Sequence, residues 1–126
     1  MIVVDTSALM ALLLGEPEAG RIADALAEAP EIAISGGTLA EALIVARRRG
    51  IGDEMARLVA GLGMAVVPVT ENAAQRVAGA YDAWGKGRHP AGLNFGDCFA
   101  YALTAERGAA LLYVGDDFAR TDVVRA

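Results

Sequence analysis

Acidic residues stand at several points of this chain where the neighbouring sequence is strongly apolar. A carboxylate at the end of a buried strand or on the apolar face of a helix costs free energy unless it is paired or bound to a metal. Several carboxylates that meet in space cannot all ionise without a cation. Such acids indicate a divalent-metal site and the phosphoryl-transfer chemistry that it supports. They are Asp5 after Ile2–Val4, Glu41 within Thr38–Ile44, Asp97 before Cys98–Leu103, and Asp116 and Asp117 after Leu111–Val114.

Each of these acids also has an ordinary structural explanation. An Asp, Thr or Ser after a strand commonly caps the next helix. Glu41 lies three residues after Thr38, which is the spacing of a capping box. An acid in the first turn of a helix is favoured by the helix dipole, and acids after a strand can lie in a solvated turn. These structural explanations apply to Asp5–Ser7, to Asp97, and to Asp116, Asp117 and Asp122. The occurrence of all these acids in one chain is a more specific sign of a metal site than any single acid.

Short β-branched runs alternate with helical segments along the chain, which predicts an α/β fold of three layers. Its centre would be a short parallel sheet of four to five strands flanked by helices. Ligands of such sheets bind at the carboxyl ends of the strands, where Asp5 and Asp116 or Asp117 stand. The predicted strands are Ile2–Val4, Ile32–Ile34, Ala65–Val69 and Leu111–Val114, with Val123–Val124 as a candidate edge strand.

The helix signals place turns and caps between these strands. Gly36 and Gly37 are predicted to form a turn, with Thr38 capping the third helix. Three glycines and a proline indicate an ordered loop over Trp84–Asn94. The remaining helices are predicted over Ala8–Leu14, from Pro17 to about Ala29, over Asp53–Leu62, from Thr70, and from Gly96 to about Arg107.

The composition is that of one folded domain covering residues 1–126. Hydrophobic residues make up 55% of the chain, enough for a packed core. A single cysteine, Cys98, predicts a reducing, cytoplasmic location, and no apolar run is long enough for a membrane helix. The net charge of −5 argues against nucleic-acid binding by the whole surface, but the basic residues are grouped at Arg47–Arg49 and Lys86–His89.

Three segments carry a family resemblance. They are Ile2–Ala8 with the Asp5-Thr6-Ser7 sequence, Gly87–Phe99 with Asn94-Phe95-Gly96-Asp97-Cys98, and Leu111–Phe118 followed by Thr121 and Asp122. Together with Glu41 in the third helix, they resemble PIN-domain ribonucleases, and among these the VapC-type toxins of bacterial toxin–antitoxin pairs. The resemblance covers nearly the whole chain.

The resemblance implies an endoribonuclease that depends on Mg²⁺ or Mn²⁺. Asp5 and Asp97 would be metal ligands, and Glu41 would complete the pocket directly or through water. Many PIN domains carry a fourth acid at the position of Gly115, so this chain departs from the common pattern. Asp117 is the expected replacement, with Asp116 as the alternative.

Further residues are expected to assist these acids. Thr6 or Ser7 would orient Asp5 or bind a water, and Thr121 and Asp122 would support the acids from behind. A second group, formed by Lys86, Arg88 and His89, is expected to contact the RNA backbone, although a solvated flexible loop would explain it equally well.

The resemblance also implies partners. A VapB-like antitoxin would cover the site with an apolar helix and a basic side chain, and the toxin would be a homodimer, or a heterotetramer or larger with its antitoxin. Ala8–Leu14 and Leu39–Ala46 are the candidate apolar surfaces. The substrate would be a structured RNA such as tRNA or rRNA. The alternatives are a non-catalytic PIN-like binding module and a housekeeping RNA-processing nuclease; a dehalogenase-like phosphatase would need an acid where Ser7 stands.

Overall fold

Four short parallel strands form the centre of the computed structural model, which describes all residues from Met1 to Ala126. The strands are β1 (Ile2–Val4), β2 (Ile32–Ser35), β3 (Ala65–Val67) and β4 (Ala110–Leu112), in the order β3-β2-β1-β4. Within β1, Ile2 pairs with Ile32 on one side and with Ala110 on the other. The predicted α/β class is therefore confirmed, and β1, which leads into Asp5, is an inner strand.

Six α-helices surround this sheet. They are α1 (Thr6–Leu14), α2 (Ala19–Glu28), α3 (Gly36–Arg48), α4 (Gly52–Leu62), α5 (Glu71–Trp84) and α6 (Phe95–Arg107), and a 3-10 helix covers Phe118–Arg120. No helix combines the length and apolar character that a membrane span requires.

The core is divided by the sheet into two clusters, because successive residues of a strand point to opposite faces. Val3 and Leu111 pack with residues of α5 and α6 on one face. On the other face, Val4 and Leu112 pack with residues of α1 to α4, including the fully buried Met55. Both faces of every inner strand are covered, which explains the uninterrupted apolar sequence of β1.

Two local predictions were wrong. Gly36 and Gly37 do not form a turn, because Ser35 ends β2 and caps α3 by accepting a 3.2 Å hydrogen bond from the Gly37 N–H. Thr38 is therefore a buried residue inside the helix and not its cap.

The last predicted strand is also absent. Val123–Val124 forms no strand, although Arg125 makes a single parallel bridge to Leu111, and the Leu111 N–H donates to the Val124 carbonyl at 2.8 Å. The sheet therefore has four strands, and the chain after the 3-10 helix only touches its edge.

Candidate active site

Asp5 lies at the carboxyl end of β1 and caps α1. Its side chain is 3% exposed. Oδ2 accepts hydrogen bonds from the Ser7 N–H at 3.0 Å and the Ser7 hydroxyl at 2.6 Å, whereas Oδ1 has no partner. Burial raises the pKa of Asp5, the bonds from Ser7 lower it, and the nearby Glu41 charge raises it further. The Asp5 side chain is thus both the cap of α1 and a candidate site residue. One of its oxygens bonds to the first turn of α1, and the other has no partner.

Ser7 connects this carboxylate to the end of β4. Its hydroxyl donates to Asp5 and accepts a 3.0 Å bond from the Val114 N–H, while the Asp5 N–H donates to the Leu112 carbonyl at 3.0 Å. Of the two residues expected to orient Asp5, Ser7 is the one that bonds to its carboxylate, whereas Thr6 bonds to Glu41. This one side chain thus links the Asp5 carboxylate to the backbone just after β4.

Glu41 reaches the same region from α3. Its Oε1 accepts a 2.7 Å hydrogen bond from the Thr6 hydroxyl. The capping-box explanation for Glu41 is wrong, because Thr38 is not a cap and the carboxylate is bonded across to α1 instead. On its other side the carboxylate lies against Gly96 of α6. Glu41 therefore sits among α1, α3 and α6.

Asp97 lies in the first turn of α6. The capping box of this chain is here, since the Asn94 side chain accepts from the Asp97 N–H at 2.8 Å and Asp97 Oδ2 accepts from the Asn94 N–H at 3.0 Å. Burial, with added repulsion from the carboxylates of Asp5, Glu41 and Asp117, raises the pKa of Asp97 to about 6, against the lowering effect of the Asn94 bond. Asp97 is thus both a capping acid in the first turn of α6 and a candidate site acid. Its carboxylate interacts with the charges of the other three acids.

Of the two candidates for a fourth acid, Asp117 is the one whose charge is felt at Asp97. Asp116 and Asp117 are both exposed, but only the charge of Asp117 contributes to the raised pKa of Asp97. Gly115, the position at which the family resemblance led us to expect an acid, has a φ of 104°, in the left-handed region that residues with side chains rarely adopt. The turn after β4 thus follows a path that disfavours an acid at 115.

The carboxylate oxygens of the four acids are the kind of ligand that a hard divalent ion prefers, but their arrangement does not form a closed metal cage. Carboxylates without His or Cys favour Mg²⁺ or Mn²⁺, and a buried Asp5 oxygen without a partner is where a cation would relieve an unfavourable charge. No group of three or more His, Cys, Asp or Glu side chains forms a finished metal cage in the structure. The donor set therefore fits the expected ions, with Glu41 bonded to Thr6 rather than directed at a shared point.

Two expected supporting residues bond elsewhere. The Thr121 hydroxyl donates to the Phe118 carbonyl at 2.7 Å, which closes the turn after the 3-10 helix. Asp122 accepts a 2.6 Å bond from the Tyr101 hydroxyl. Neither side chain bonds to an acid of the site, so the expected role for Thr121 and Asp122 is corrected to one in local folding.

The basic residues lie in an ordered loop that leads directly into Asn94 and α6. The loop is closed by a bridge between Gly85 and Leu93, and Lys86 and Arg88 are exposed at its tip. His89 is partly buried, accepts a 2.9 Å bond from the Ala91 N–H and packs edge-on against Trp84, so it shapes the loop and is less available to RNA than expected. We call Lys86–His89 the basic loop.

Arg120 was missed by the sequence analysis. It follows Asp117 by three residues, and its guanidinium donates to the Pro90 carbonyl at 3.2 Å. This bond joins the segment after β4 to the end of the basic loop. Only the tertiary contact identifies Arg120, because nothing in its neighbouring sequence sets it apart.

Cys98 packs in the core beside Asp97. Its thiol is buried, and burial together with the Asp97 charge raises its pKa to about 11, so it stays protonated near neutral pH. A protonated thiol is a poor nucleophile.

The apolar surfaces differ from those expected. Most of α1 is buried, and only its end, at Leu14, is exposed, whereas Ile44 on α3 remains 52% exposed. A groove of about 460 Å³ between α5 and α6 is lined mainly by apolar side chains, among them Tyr81, Phe99 and the 71% exposed Phe95. Exposed aromatic surface beside Asp97 is therefore a feature that helix periodicity did not reveal.

Comparisons with known proteins agree with this arrangement. The PIN domain family matches residues 2–124. Ribonuclease VapC28 of Mycobacterium tuberculosis is 43% identical over 128 residues, which cover 98% of this chain and 96% of the relative. Among solved structures, Mycobacterium tuberculosis VapC20, described as a sarcin-ricin loop cleaving toxin, superposes with a TM-score of 0.79 at 22% identity, covering 100% of this chain and 98% of that one.

A toxin–antitoxin complex from Klebsiella pneumoniae is similar in fold, with a TM-score of 0.74 at 20% identity, covering 100% of this chain and 97% of that one. At these identities the structural likeness establishes the fold, and the VapC28 match carries the family. The chain therefore belongs to the PIN-domain family, and within it to the VapC-type ribonucleases.

Proposed function

We propose that this protein is a divalent-metal-dependent endoribonuclease and the toxin of a type II toxin–antitoxin pair. The single observation that carries the proposal is the Asp5 carboxylate, buried with Oδ1 unpartnered and close enough to Glu41 and Asp97 for their charges to interact. A folded protein does not keep mutually repelling carboxylates at a buried strand end for stability alone.

Each acid has its own position in the proposed mechanism. Asp5 and Asp97 are the proposed metal ligands, and Glu41 and Asp117 complete the negative pocket. Mg²⁺ or Mn²⁺ bound there would make the attacking water more acidic and offset the charge that develops on the scissile phosphate. Ser7 and the Asn94 backbone fix the angles of the two ligands, because each carboxylate has one oxygen committed to these bonds.

The proposed substrate is structured RNA, such as tRNA or rRNA. Support comes from the position of the basic loop, whose exposed Lys86 and Arg88 precede the helix that carries Asp97, and from Arg120 after Asp117. Cations beside an acidic pocket attract the phosphates that flank a scissile bond. The VapC20 neighbour is described as a toxin that cleaves the sarcin-ricin loop.

Cleavage of total cellular RNA tests this proposal. The purified protein would be incubated with Mg²⁺, with Mn²⁺ and with EDTA, beside Asp5→Ala and Asp97→Ala variants and an exposed control, Asp24→Asn on α2. We expect discrete fragments that require metal, disappear in both site variants and persist in the control. Absence of both cleavage and Mn²⁺ binding would instead support a non-catalytic PIN-like module.

We also propose a VapB-like antitoxin and a homodimeric toxin, with larger assemblies when both are present. The apolar groove between α5 and α6 and the exposed Ile44 supply surface that a partner would cover. The antitoxin would place a basic side chain against the acids. Light scattering of the toxin alone and with the product of an adjacent small gene measures both assemblies, and a monomer that binds no such product would contradict them.

A further inference from the structure

Gly96 is a glycine in a place where the backbone does not require one. It lies in the first turn of α6 between Phe95 and Asp97, and it is not among the residues with positive φ. Glycine inside a helix is less favourable than alanine. A reason other than backbone conformation must therefore be sought in its surroundings.

The Glu41 carboxylate occupies the space of the missing side chain. A Cβ at residue 96 would overlap Oε2 of Glu41 and lie 2.6 Å from its Cδ, far closer than nonbonded carbon atoms approach. On the opposite side, Oε1 of Glu41 accepts the 2.7 Å hydrogen bond from the Thr6 hydroxyl. One oxygen of Glu41 is thus held by α1 and the other rests on the N-terminal turn of α6, where the helix dipole favours a carboxylate.

We propose that Gly96 and Thr6 are positioning residues for Glu41, forming a two-sided seat that fixes its carboxylate beside Asp5 and Asp97. Neither residue needs to touch substrate in this role. Gly96 provides the room, and Thr6 provides the hydrogen bond. A methyl group at residue 96 would push the carboxylate off the Thr6 hydroxyl. The inference rests on the proposed function only in so far as Glu41 belongs to the metal site.

The contact between α3 and α6 contains a second glycine that makes room for a side chain of the other helix. A Cβ on Gly37 of α3 would overlap the Phe99 ring of α6 and lie 2.6 Å from its Cγ. Gly37 on α3 therefore accommodates an aromatic ring, whereas Gly96 on α6 accommodates a carboxylate. The first contact lies beside the core and the second at the acids, so only the second is expected to influence the site chemistry.

Thermal unfolding in EDTA tests the steric part of the proposal without any metal. Gly79→Ala on α5 is the control, since that position is helical and has open space around it. We expect Gly79→Ala to raise the Tm by about 3 °C. Gly96→Ala should give a similar rise in a Glu41→Ala background, but none in the wild-type background. Equal effects of Gly96→Ala in both backgrounds would overturn the seat.

Mn²⁺ titration by calorimetry or EPR tests the positioning part. We expect Gly96→Ala and Thr6→Val to weaken Mn²⁺ binding about tenfold or more, and Thr6→Ser, which keeps the hydroxyl, to restore it. In a Glu41→Ala background neither change should weaken binding further. Wild-type affinity in Gly96→Ala, or failure of Thr6→Ser to restore binding, would overturn the positioning role. A wild-type protein that binds no Mn²⁺ would instead refute the proposed metal site. The unfolding experiment in EDTA would then be the only test of whether Gly96 and Thr6 hold the Glu41 carboxylate.

Discussion

The Ser7 hydroxyl donates a 2.6 Å hydrogen bond to Oδ2 of Asp5. The same hydroxyl oxygen accepts from the Val114 N–H at 3.0 Å, so it lies between the ends of β1 and β4. A side chain in this position supports the fold and the proposed site at once, and its two contributions can be separated by substitution.

Ser7→Ala should lower the free energy of unfolding by about 1–3 kcal/mol, because it leaves the partly buried Val114 N–H without an acceptor. Urea unfolding measures this loss. Ser7→Thr keeps the hydroxyl and is the matched control. A stable Ser7→Ala protein that binds Mn²⁺ as tightly as the wild type would show that the Ser7 hydroxyl matters neither for the fold nor for the metal site.

Asp5→Asn should have opposite effects on activity and on stability. RNA cleavage should fall by at least about a hundredfold, because a proposed ligand is neutralised. The Tm in EDTA should rise by about 2–4 °C, because burial disfavours the charged form of Asp5. Asp24→Asn, on the exposed surface of α2, should change neither. A lower Tm for Asp5→Asn would mean that the charge at this position stabilises the fold.

The raised pKa of Asp97 predicts that the stability of the metal-free protein depends on pH. The folded-state pKa of Asp97 is about 6, above the ordinary value of 3.8. Between these pH values the folded state binds more protons than the unfolded state, so stability falls as the pH rises from about 4 to about 6. Because Asp97 is partly exposed, solvent screening reduces the expected loss to about 1–2 kcal/mol.

Urea unfolding at several pH values, with the wild type and Asp97→Asn compared, isolates this contribution. We expect the difference between the two proteins to grow over that pH window and to shrink when Mn²⁺ is added, since a cation favours the ionised carboxylates. A constant difference across the window would show that Asp97 titrates at its ordinary pKa.

The two acids after β4 should differ in importance. Asp117→Asn should reduce the cleavage rate by about tenfold or more, whereas Asp116→Asn should leave it nearly unchanged, because the Asp117 charge contributes to the raised pKa of Asp97. Single-turnover cleavage in Mn²⁺ compares them directly, with each variant serving as the control for the other. The reverse order would assign the fourth acid to Asp116.

The basic loop should affect binding of RNA more than the chemical step. Lys86→Gln and Arg88→Gln should each raise KM several-fold, leave kcat unchanged, and reduce the salt dependence of log KM by about 0.7–0.9 per lost phosphate contact. Arg57→Gln on α4, where the arginine pairs with Glu54 at 3.6 Å, is the control. If kcat falls and KM does not, the loop acts on the chemistry and not on RNA binding.

Much of the fold could be predicted because its determinants are local. The β-branched run of β1 and the helix-ending glycines at 15, 63 and 108 gave the element order correctly. The start of α3 was misplaced because its first residues are glycines with poor helix propensity. Gly37 is kept there by a tertiary contact, namely the Phe99 ring packed against it.

The candidate site was only partly predictable, for a related reason. The acid types and the position of Asp5 at the end of a strand are visible in the sequence. The bond from Thr6 to Glu41 and the contact of Glu41 with Gly96 join helices that are distant in sequence, so their pairing depends on the strand order. The spacing of a capping box suggested that Glu41 interacts with Thr38. In the structure, Glu41 instead accepts a hydrogen bond from Thr6 of another helix.

The pairing of β1 with β4 has a consequence for how the protein is made. Ile2 pairs with Ala110, so during synthesis β1 acquires one of its two neighbours only after α6 has been made. Until then Asp5 has neither the Leu112 carbonyl for its N–H nor the Val114 N–H that anchors Ser7. A nascent or truncated chain that lacks β4 therefore has Asp5, Glu41 and Asp97 without the bonds that order Asp5 and Ser7.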